Sequence, residues 1–208
     1  MLKDTGERVI PDQMKPSNGL LLEHLARYQF SLPFVTGRVL DLASGSGYGA
    51  QFIAKKKKED ISEVIGLDAD EIAVRYARGR YFHPKVAYYC EDAADPELSK
   101  EYGTFDTIVS FETIEHIKEE KQFLFNLYQL LRPGGTLLLS TPFGKGRGVE
   151  CGSPFHVHQL TVQEFYHLFN GYPYERVEFY FQHGVLIEPA REDRCYPLGI
   201  AVCKKKKS

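Results

Sequence analysis

The strongest constraint on the fold is a regular alternation of short apolar segments with amphipathic ones between residues 38 and 142. Runs such as Arg38–Ala43 and Phe105–Phe111 have the length and composition of buried strands, and the segments between such runs have helical periodicity. Strands that alternate with helices form a parallel sheet whose two faces the helices cover. The sequence therefore predicts an α/β fold whose first five strands run parallel.

The segment after the fifth strand breaks this pattern. Residues 143–159 are rich in glycine, and Thr161 followed by Glu164 has the spacing of a helix-capping box. Two late strand-like runs, 175–182 and 199–205, have no helical segment between them, so we expect them to pair antiparallel. We predict a Rossmann-like, doubly wound sheet of seven strands, mostly parallel with an antiparallel last strand, and helices on both faces.

The chain is predicted to form one domain, 1–208, because no internal repeat or low-complexity tract divides it. Residues 1–36 are expected to be a helical N-terminal extension in which Ser17 caps a helix. Residues 143–160 are expected to be a lid or substrate loop. The sequence leaves open whether 183–199 shapes an acceptor site or only connects two strands.

The composition limits the kinds of molecule that the protein is expected to bind. A net charge of −2 gives no general attraction to nucleic acid or anionic membranes, although lysine runs at 55–58 and 204–207 leave a nucleic-acid contact open. No apolar run is long enough to span a membrane, and the first residues lack the apolar region of a signal peptide. The four cysteines form no C-x-x-C pair. We therefore expect a cytoplasmic protein; its oligomeric state is left open.

A glycine-rich turn, VLDLASGSGYG at 39–49, follows the first strand. Asp41 lies at the end of that strand, and Gly45 and Gly47 follow it. In such sheets ligands bind at the carboxyl ends of the strands, where glycines let a ligand approach the backbone. Asp68 closes the second strand, and a carboxylate there can accept hydrogen bonds from both hydroxyls of a ribose. A structural turn, or a dinucleotide site of the G-x-G-x-x-A type, is also compatible with this segment.

Three later motifs distinguish between these readings. Glu91-Asp92-Ala93 ends the third strand, the fourth strand ends at Phe111, and Leu131-Arg132-Pro133-Gly134-Gly135 precedes the fifth. With the glycine turn and the reversed last strand, this set resembles the class I S-adenosylmethionine-dependent methyltransferases over residues 38–140.

The resemblance implies S-adenosylmethionine as the cofactor and a role for each matching residue. The methionine moiety would be surrounded by Asp41, Gly45 and Gly47. The ribose hydroxyls would be held by Asp68, the adenine by Asp92 and Ala93, and the methyl group would lie beside Phe111.

A second cluster concerns catalysis. Glu112-x-x-Glu115-His116 follows the fourth strand, and His156 precedes the capping box at Thr161. A similar arrangement occurs in divalent-metal-dependent O-methyltransferases, including those of ubiquinone biosynthesis and small-RNA 3′-end methylation. This resemblance implies candidate catalytic residues Glu112, His116 and His156, and candidate ligands of Mg²⁺, Mn²⁺ or Zn²⁺ at Glu112, Glu115, His116 and His156. Metal-free catalysis and a purely structural cluster are the alternatives.

The acceptor is expected to be a small molecule or a lipid-linked glycan, methylated at oxygen. The basis is a resemblance of the N-terminal GERVIPD segment, the sixth-strand region and PFHVHQL to methyltransferases encoded with bacterial surface-polysaccharide genes. The segment 144–148, GKGRG, carries two cations that could contact an anionic substrate; the alternative is that this segment is a flexible connection with no binding role. The alternative functions are a non-catalytic S-adenosylmethionine-binding subunit and an NAD-dependent oxidoreductase, although no Y-x-x-x-K pair lies where the latter needs one.

Overall fold

The computed structural model describes Leu2 and residues 8–207, and their main feature is one eight-stranded sheet. Its order is β3-β2-β1-β4-β5-β8-β6-β7. The strands are β1 Gly37–Leu42, β2 Ile61–Asp68, β3 Val86–Cys90, β4 Phe105–Phe111, β5 Leu131–Pro142, β6 Tyr174–His183, β7 Leu186–Glu188 and β8 Leu198–Lys205. The helices are α1 Gly19–Ser31, α2 Tyr48–Lys56, α3 Glu71–Arg80, α4 Leu98–Tyr102, α5 Glu120–Leu130 and α6 Val162–His167.

The strand directions confirm the predicted topology. Strands β1 to β5 pair in parallel, and β8 pairs antiparallel with both β5 and β6. The predicted count of seven strands is wrong, because β7 adds a short antiparallel partner to the end of β6. Gly184 makes the turn between them in a left-handed conformation, with φ of +58°. A three-residue strand is too short to produce a periodic signal in the sequence.

Alternate residues of the central strands pack on opposite faces of the sheet. Leu40 of β1 packs in the same core as Phe123 and Leu127 of α5. Val39, the preceding residue, belongs to the core that contains Ile53 of α2. These side chains are fully buried, as the period-2 geometry of a strand requires for a sheet covered on both faces.

The helix termini agree with the predicted capping signals in one case and differ in another. At α6 the Thr161 hydroxyl accepts the Glu164 N–H while the Glu164 carboxylate accepts the Thr161 N–H, so the predicted capping box is confirmed. At α1 the cap is Asn18, whose side-chain oxygen accepts the N–H of Leu21 at 3.1 Å, and the prediction of Ser17 is wrong by one residue.

No helix among the described residues is both long and apolar enough to span a bilayer.

Candidate active site

A cavity of about 640 Å³ opens at the carboxyl ends of the parallel strands, where the chain order reverses between β1 and β4. Most of the residues that the sequence predicted for the site line this single cavity. They are Gly45, Asp68, Asp92, Ala93, Phe111, Glu112, Glu115, His116 and His156. Asp41 and Gly47 do not line it.

The glycine turn holds the carboxylate of Asp68 in place. The N–H of Gly45 donates to Asp68 Oδ2 at 2.7 Å, and the N–H of Asp70 donates to Asp68 Oδ1 at 3.0 Å. Gly45 has φ of +56°, and a Cβ at this position would meet no atom within 4 Å. The turn therefore needs glycine here for its backbone conformation, and it leaves open space beside Asp68.

Gly47 meets a different requirement. It has φ of +88°, and a Cβ there would lie 2.5 Å from the Ala77 side chain and 2.8 Å from the ring of Tyr88. The Tyr88 hydroxyl also donates to the Gly47 carbonyl oxygen at 2.7 Å. Gly47 therefore lets α2 begin directly against α3 and β3, behind the cavity wall. Its predicted contact with the methionine moiety stays a prediction.

Asp41 lies beneath the turn and is 1% exposed. Its carboxylate accepts the Tyr28 hydroxyl at 3.1 and 3.3 Å and also the backbone N–H of Ala50, so it joins α1 to the first turn of α2. Burial raises the pKa of Asp41 to about 7, and the negative charge of Asp68 contributes to the rise. Asp41 would therefore affect a bound ligand indirectly, by holding the glycine turn in position.

The third-strand motif forms another part of the cavity wall. Asp92 Oδ1 accepts the N–H of Ala94 at 2.8 Å, and the Ala93 carbonyl oxygen accepts a hydrogen bond from the Asn126 side chain at 2.9 Å. The neighbouring carboxylate of Glu91 accepts the Tyr102 hydroxyl at 2.8 Å. These bonds fix the loop after β3, so the Asp92 and Ala93 backbone is held rigidly at the cavity.

The two glutamates after β4 have contrasting environments. Glu112 has φ of +53°, a strained conformation for a residue other than glycine, and its carboxylate accepts the Ser140 hydroxyl at 2.9 Å. Glu115 is 1% exposed and accepts the Thr141 hydroxyl at 3.2 Å. Burial, followed by the nearby charge of Glu112, raises the pKa of Glu115 well above its usual range. A nearby cation would favour the ionised form of this carboxyl.

Two imidazoles lie close to Glu115. The rings of His116 and His156 meet edge to face with centroids 4.9 Å apart. His116 Nδ1 is 3.0 Å from the Phe155 carbonyl oxygen, to which it donates, and this leaves Nε2 as the ring's basic nitrogen. One ligand atom from each of Glu115, His116 and His156 lies within 4.8 Å of the others, a spacing that fits a single cation. Glu112, the fourth predicted ligand, lines the cavity but is outside this group.

The loop between β5 and α6 is tied to the same region. The Val157 N–H donates to the Glu115 carbonyl oxygen at 2.7 Å. Arg147 donates two hydrogen bonds to the carboxylate of Glu120, at 2.9 and 2.7 Å, and His158 Nε2 lies 3.2 Å from the same carboxylate. Arg147 is thus paired with protein carboxylates, and the contact of the loop's cations with an anionic substrate stays a prediction.

Sequence reasoning missed the contribution of α1. His24 and Tyr28, one turn apart on this helix, both line the cavity. The ring of Tyr28 packs edge to face against Phe111 and Tyr48, with centroids 5.2 and 5.5 Å away. The polar residue His24 was the only indication in the sequence that this helix contributes to a site, and no local pattern showed that the helix packs over the cavity.

Comparison with known proteins agrees with this geometry. Residues 39–135 match the family model described as "Methyltransferase domain". A Mycolicibacterium smegmatis protein named "Probable S-adenosylmethionine-dependent methyltransferase" is 38% identical over 165 residues, which are 77% of this chain and 60% of that relative. The chain belongs to the class I S-adenosylmethionine-dependent methyltransferase family. It thus spans about three fifths of the length of that curated relative.

More distant methyltransferases match part of the sequence or the fold. The ubiquinone biosynthesis O-methyltransferase of Mesorhizobium japonicum is 28% identical over 109 residues, which are 52% of this chain and 42% of that protein. Among solved structures, the methyltransferase domain of bacterial CtHen1-C superposes with a TM-score of 0.69 at 20% identity, over 91% of this chain and 100% of that one. The structural match establishes a Rossmann-like methyltransferase fold.

Proposed function

We propose that the protein is an S-adenosylmethionine-dependent methyltransferase that methylates an oxygen atom of a small-molecule or lipid-linked glycan acceptor. One observation carries the proposal: the glycine turn with its bonded Asp68 and the cluster of Glu115, His116 and His156 line the same cavity. A nucleotide-like ligand held by the first group would extend toward basic and acidic side chains of the second.

The cofactor half of the cavity would be built from the parallel strand ends. Asp68 would accept hydrogen bonds from the ribose hydroxyls, because its carboxylate is fixed by two N–H groups and still has free lone pairs. Asp92 and Ala93 would contact the adenine, and Phe111 would lie beside the methyl group. Asp41 and Gly47 would support the turn at the methionine end.

The acceptor half would supply a base. The sulfonium cofactor already carries an activated methyl group, so the protein must place the acceptor in line with it and remove the proton of a hydroxyl. Bound S-adenosylmethionine would supply the methyl group, which would pass to the acceptor oxygen as the sulfur–methyl bond breaks and leave S-adenosylhomocysteine. His116 Nε2 would accept the proton of the acceptor hydroxyl. Acceptors that are already anionic would not need this step.

A divalent cation is the alternative use of the same residues, because an ion bound to His116 Nε2 would occupy the nitrogen that otherwise accepts the proton. Glu115, His116 and His156 offer one carboxylate oxygen and two imidazole nitrogens, a donor set suited to Mn²⁺ or Zn²⁺ and, with further oxygen ligands from Glu112 and water, to Mg²⁺. Such an ion would lower the pKa of a bound acceptor hydroxyl. The name of the Mesorhizobium relative, an O-methyltransferase, supports oxygen as the accepting atom.

The experiment measures formation of S-adenosylhomocysteine from S-adenosylmethionine with hydroxyl acceptors (catechols, free sugars and nucleotide sugars) and, for contrast, with amine acceptors. Each reaction is run with added Mg²⁺, Mn²⁺ or Zn²⁺ and with EDTA. His116→Ala should lose turnover, whereas His167→Ala should retain it, because His167 is an exposed residue of α6. Turnover only with amine acceptors would contradict the oxygen assignment. Activity in EDTA equal to that with metal would remove the cation and leave His116 as the base.

A further inference from the structure

His24 is a cavity-lining residue for which the proposed mechanism has no role. It lies on α1, and its Nδ1 is 3.1 Å from the hydroxyl oxygen of Tyr48, the first residue of α2 after the glycine turn. Tyr48 is buried, at 8% exposure. Within the part of the chain that the structure describes, the Tyr48 hydroxyl has no second hydrogen-bond partner.

This contact determines which nitrogen of His24 carries the hydrogen. A buried hydroxyl hydrogen without an acceptor costs free energy, so the Tyr48 hydroxyl donates to His24 Nδ1. Burial and the positive charge of Arg27 hold the pKa of His24 well below its usual value, so the ring is neutral near pH 7. A neutral ring that accepts at Nδ1 carries its hydrogen at Nε2. His24 is therefore an N–H donor for the cavity.

The glycine turn itself has few donors left for a ligand. The N–H of Ser44 donates to the Leu67 carbonyl oxygen at 2.8 Å, and the N–H of Gly47 donates to the Ser44 carbonyl oxygen at 3.0 Å. The N–H of Gly45 is bonded to Asp68. Three N–H groups of the turn are therefore already bonded, and a side-chain donor would add to what the turn offers a negatively charged ligand group.

The electrostatic surroundings of His24 suit an anion. The cavity is lined by more carboxyl groups than basic side chains, and carboxylates repel a negatively charged ligand group. Arg27 follows His24 on α1, is 1% exposed and donates to the Gln182 side-chain oxygen at 2.8 Å. Its buried Nε has no partner among the described residues. This buried positive charge acts on His24 and attracts an anion near it. Arg8 also lines the cavity, and its guanidinium is paired with the Asp70 carboxylate at 2.8 Å.

We propose that His24 Nε2–H binds the carboxylate of the methionine moiety of S-adenosylmethionine, with Tyr48 fixing the tautomer that makes this possible. The inference rests on the proposed function, because it assumes that this cofactor occupies the cavity. It assigns α1, outside the region matched by the family model, to cofactor binding.

The test compares two ligands that differ in the amino-acid moiety. S-Adenosylhomocysteine carries the carboxylate, and 5′-methylthioadenosine has the same nucleoside without it. Calorimetric dissociation constants are measured for the wild type, His24→Ala, His24→Gln and the control His167→Ala. Loss of a hydrogen bond to a charged group predicts a loss of about tenfold or more in affinity of His24→Ala for S-adenosylhomocysteine. Its affinity for 5′-methylthioadenosine should not change.

The second variant separates this role from a structural one. The side-chain amide of Gln can donate in place of Nε2–H, so His24→Gln should retain most of the affinity for S-adenosylhomocysteine. Unchanged binding of S-adenosylhomocysteine to His24→Ala, or an equal loss for both ligands, would overturn the inference. If the wild type binds neither ligand, the proposed function itself fails, so the two failures are distinguishable.

Discussion

The buried carboxyl of Asp41 should make the stability of the fold depend on pH in a defined way. Its pKa is raised from 3.8 to about 7. A raised pKa means that the folded state binds the proton more tightly than the unfolded state. The associated stabilisation is fully present below pH 3.8 and is lost as the pH rises through about 7. The whole shift corresponds to about 4 kcal/mol at about 1.36 kcal/mol per pKa unit.

Asp41→Asn removes this titration. Between pH 5 and pH 8 the wild type should lose about 2.5 kcal/mol relative to the variant, which is the part of the shift that falls within this range. Asn replaces one carboxyl oxygen with an NH2 group, which changes the hydrogen bonds to the Tyr28 hydroxyl and the Ala50 N–H by an amount that does not depend on pH. The difference between the two unfolding free energies, and not either value alone, is the quantity to follow.

The measurement is urea unfolding without ligand at pH 5, 6, 7 and 8, followed by far-UV circular dichroism because the chain has no Trp. Asp193→Asn, an exposed aspartate, is the matched control and should show a flat difference over this range. A flat difference for Asp41→Asn as well would refute the assignment of Asp41 as a buried group that titrates near neutrality.

Two further changes test the packing of α1 and the anchoring of the loop. Gly49→Ala places a Cβ 1.9 Å from the ring of Tyr28, so it should destabilise the fold by about 1–3 kcal/mol in urea unfolding. The control is Gly19→Ala, whose Cβ would meet no atom within 4 Å and which should leave the stability unchanged. Equal stabilities of the two variants would contradict this packing of α1. Arg147→Ala removes the hydrogen bonds to Glu120 and should speed proteolysis of residues 143–160 without changing affinity for S-adenosylhomocysteine. Unchanged cleavage would mean that other contacts hold the loop.

Much of the fold could be predicted from the sequence because its signals are local and repeated. Apolar runs such as Phe105–Phe111 and the capping box at Thr161 specify their elements without distant contacts. β7 was not predicted because three residues are too few to show an alternation of apolar and polar side chains. It is defined by its pairing with the end of β6. The N-cap of α1 was misplaced by one residue because Ser17 and Asn18 are both good caps, and only the structure decides between adjacent ones.

The sequence predicted most of the residues of the candidate site, but it did not predict which of them line the cavity and which lie behind its wall. Sequence order places Asp41 and Gly47 in the same motif as Gly45, but both lie behind the cavity wall. Gly47 packs against α3 and β3, and Asp41 is covered by Tyr28 of α1, and the motif marks neither contact. His24 is the opposite case, because no motif marks it and only the packing of α1 brings it to the cavity. The structure groups His156, and not His158, with Glu115.

Calorimetric titration with S-adenosylmethionine, S-adenosylhomocysteine and NAD tests the central claim most directly, with Asp68→Ala as the site variant. We expect micromolar binding of both sulfur nucleosides by the wild type, no heat from NAD, and a loss of about tenfold or more in affinity for Asp68→Ala, which removes the acceptor of the ribose hydrogen bonds. A wild type that binds NAD and neither sulfur nucleoside, or an Asp68→Ala variant with wild-type affinity, would contradict the account.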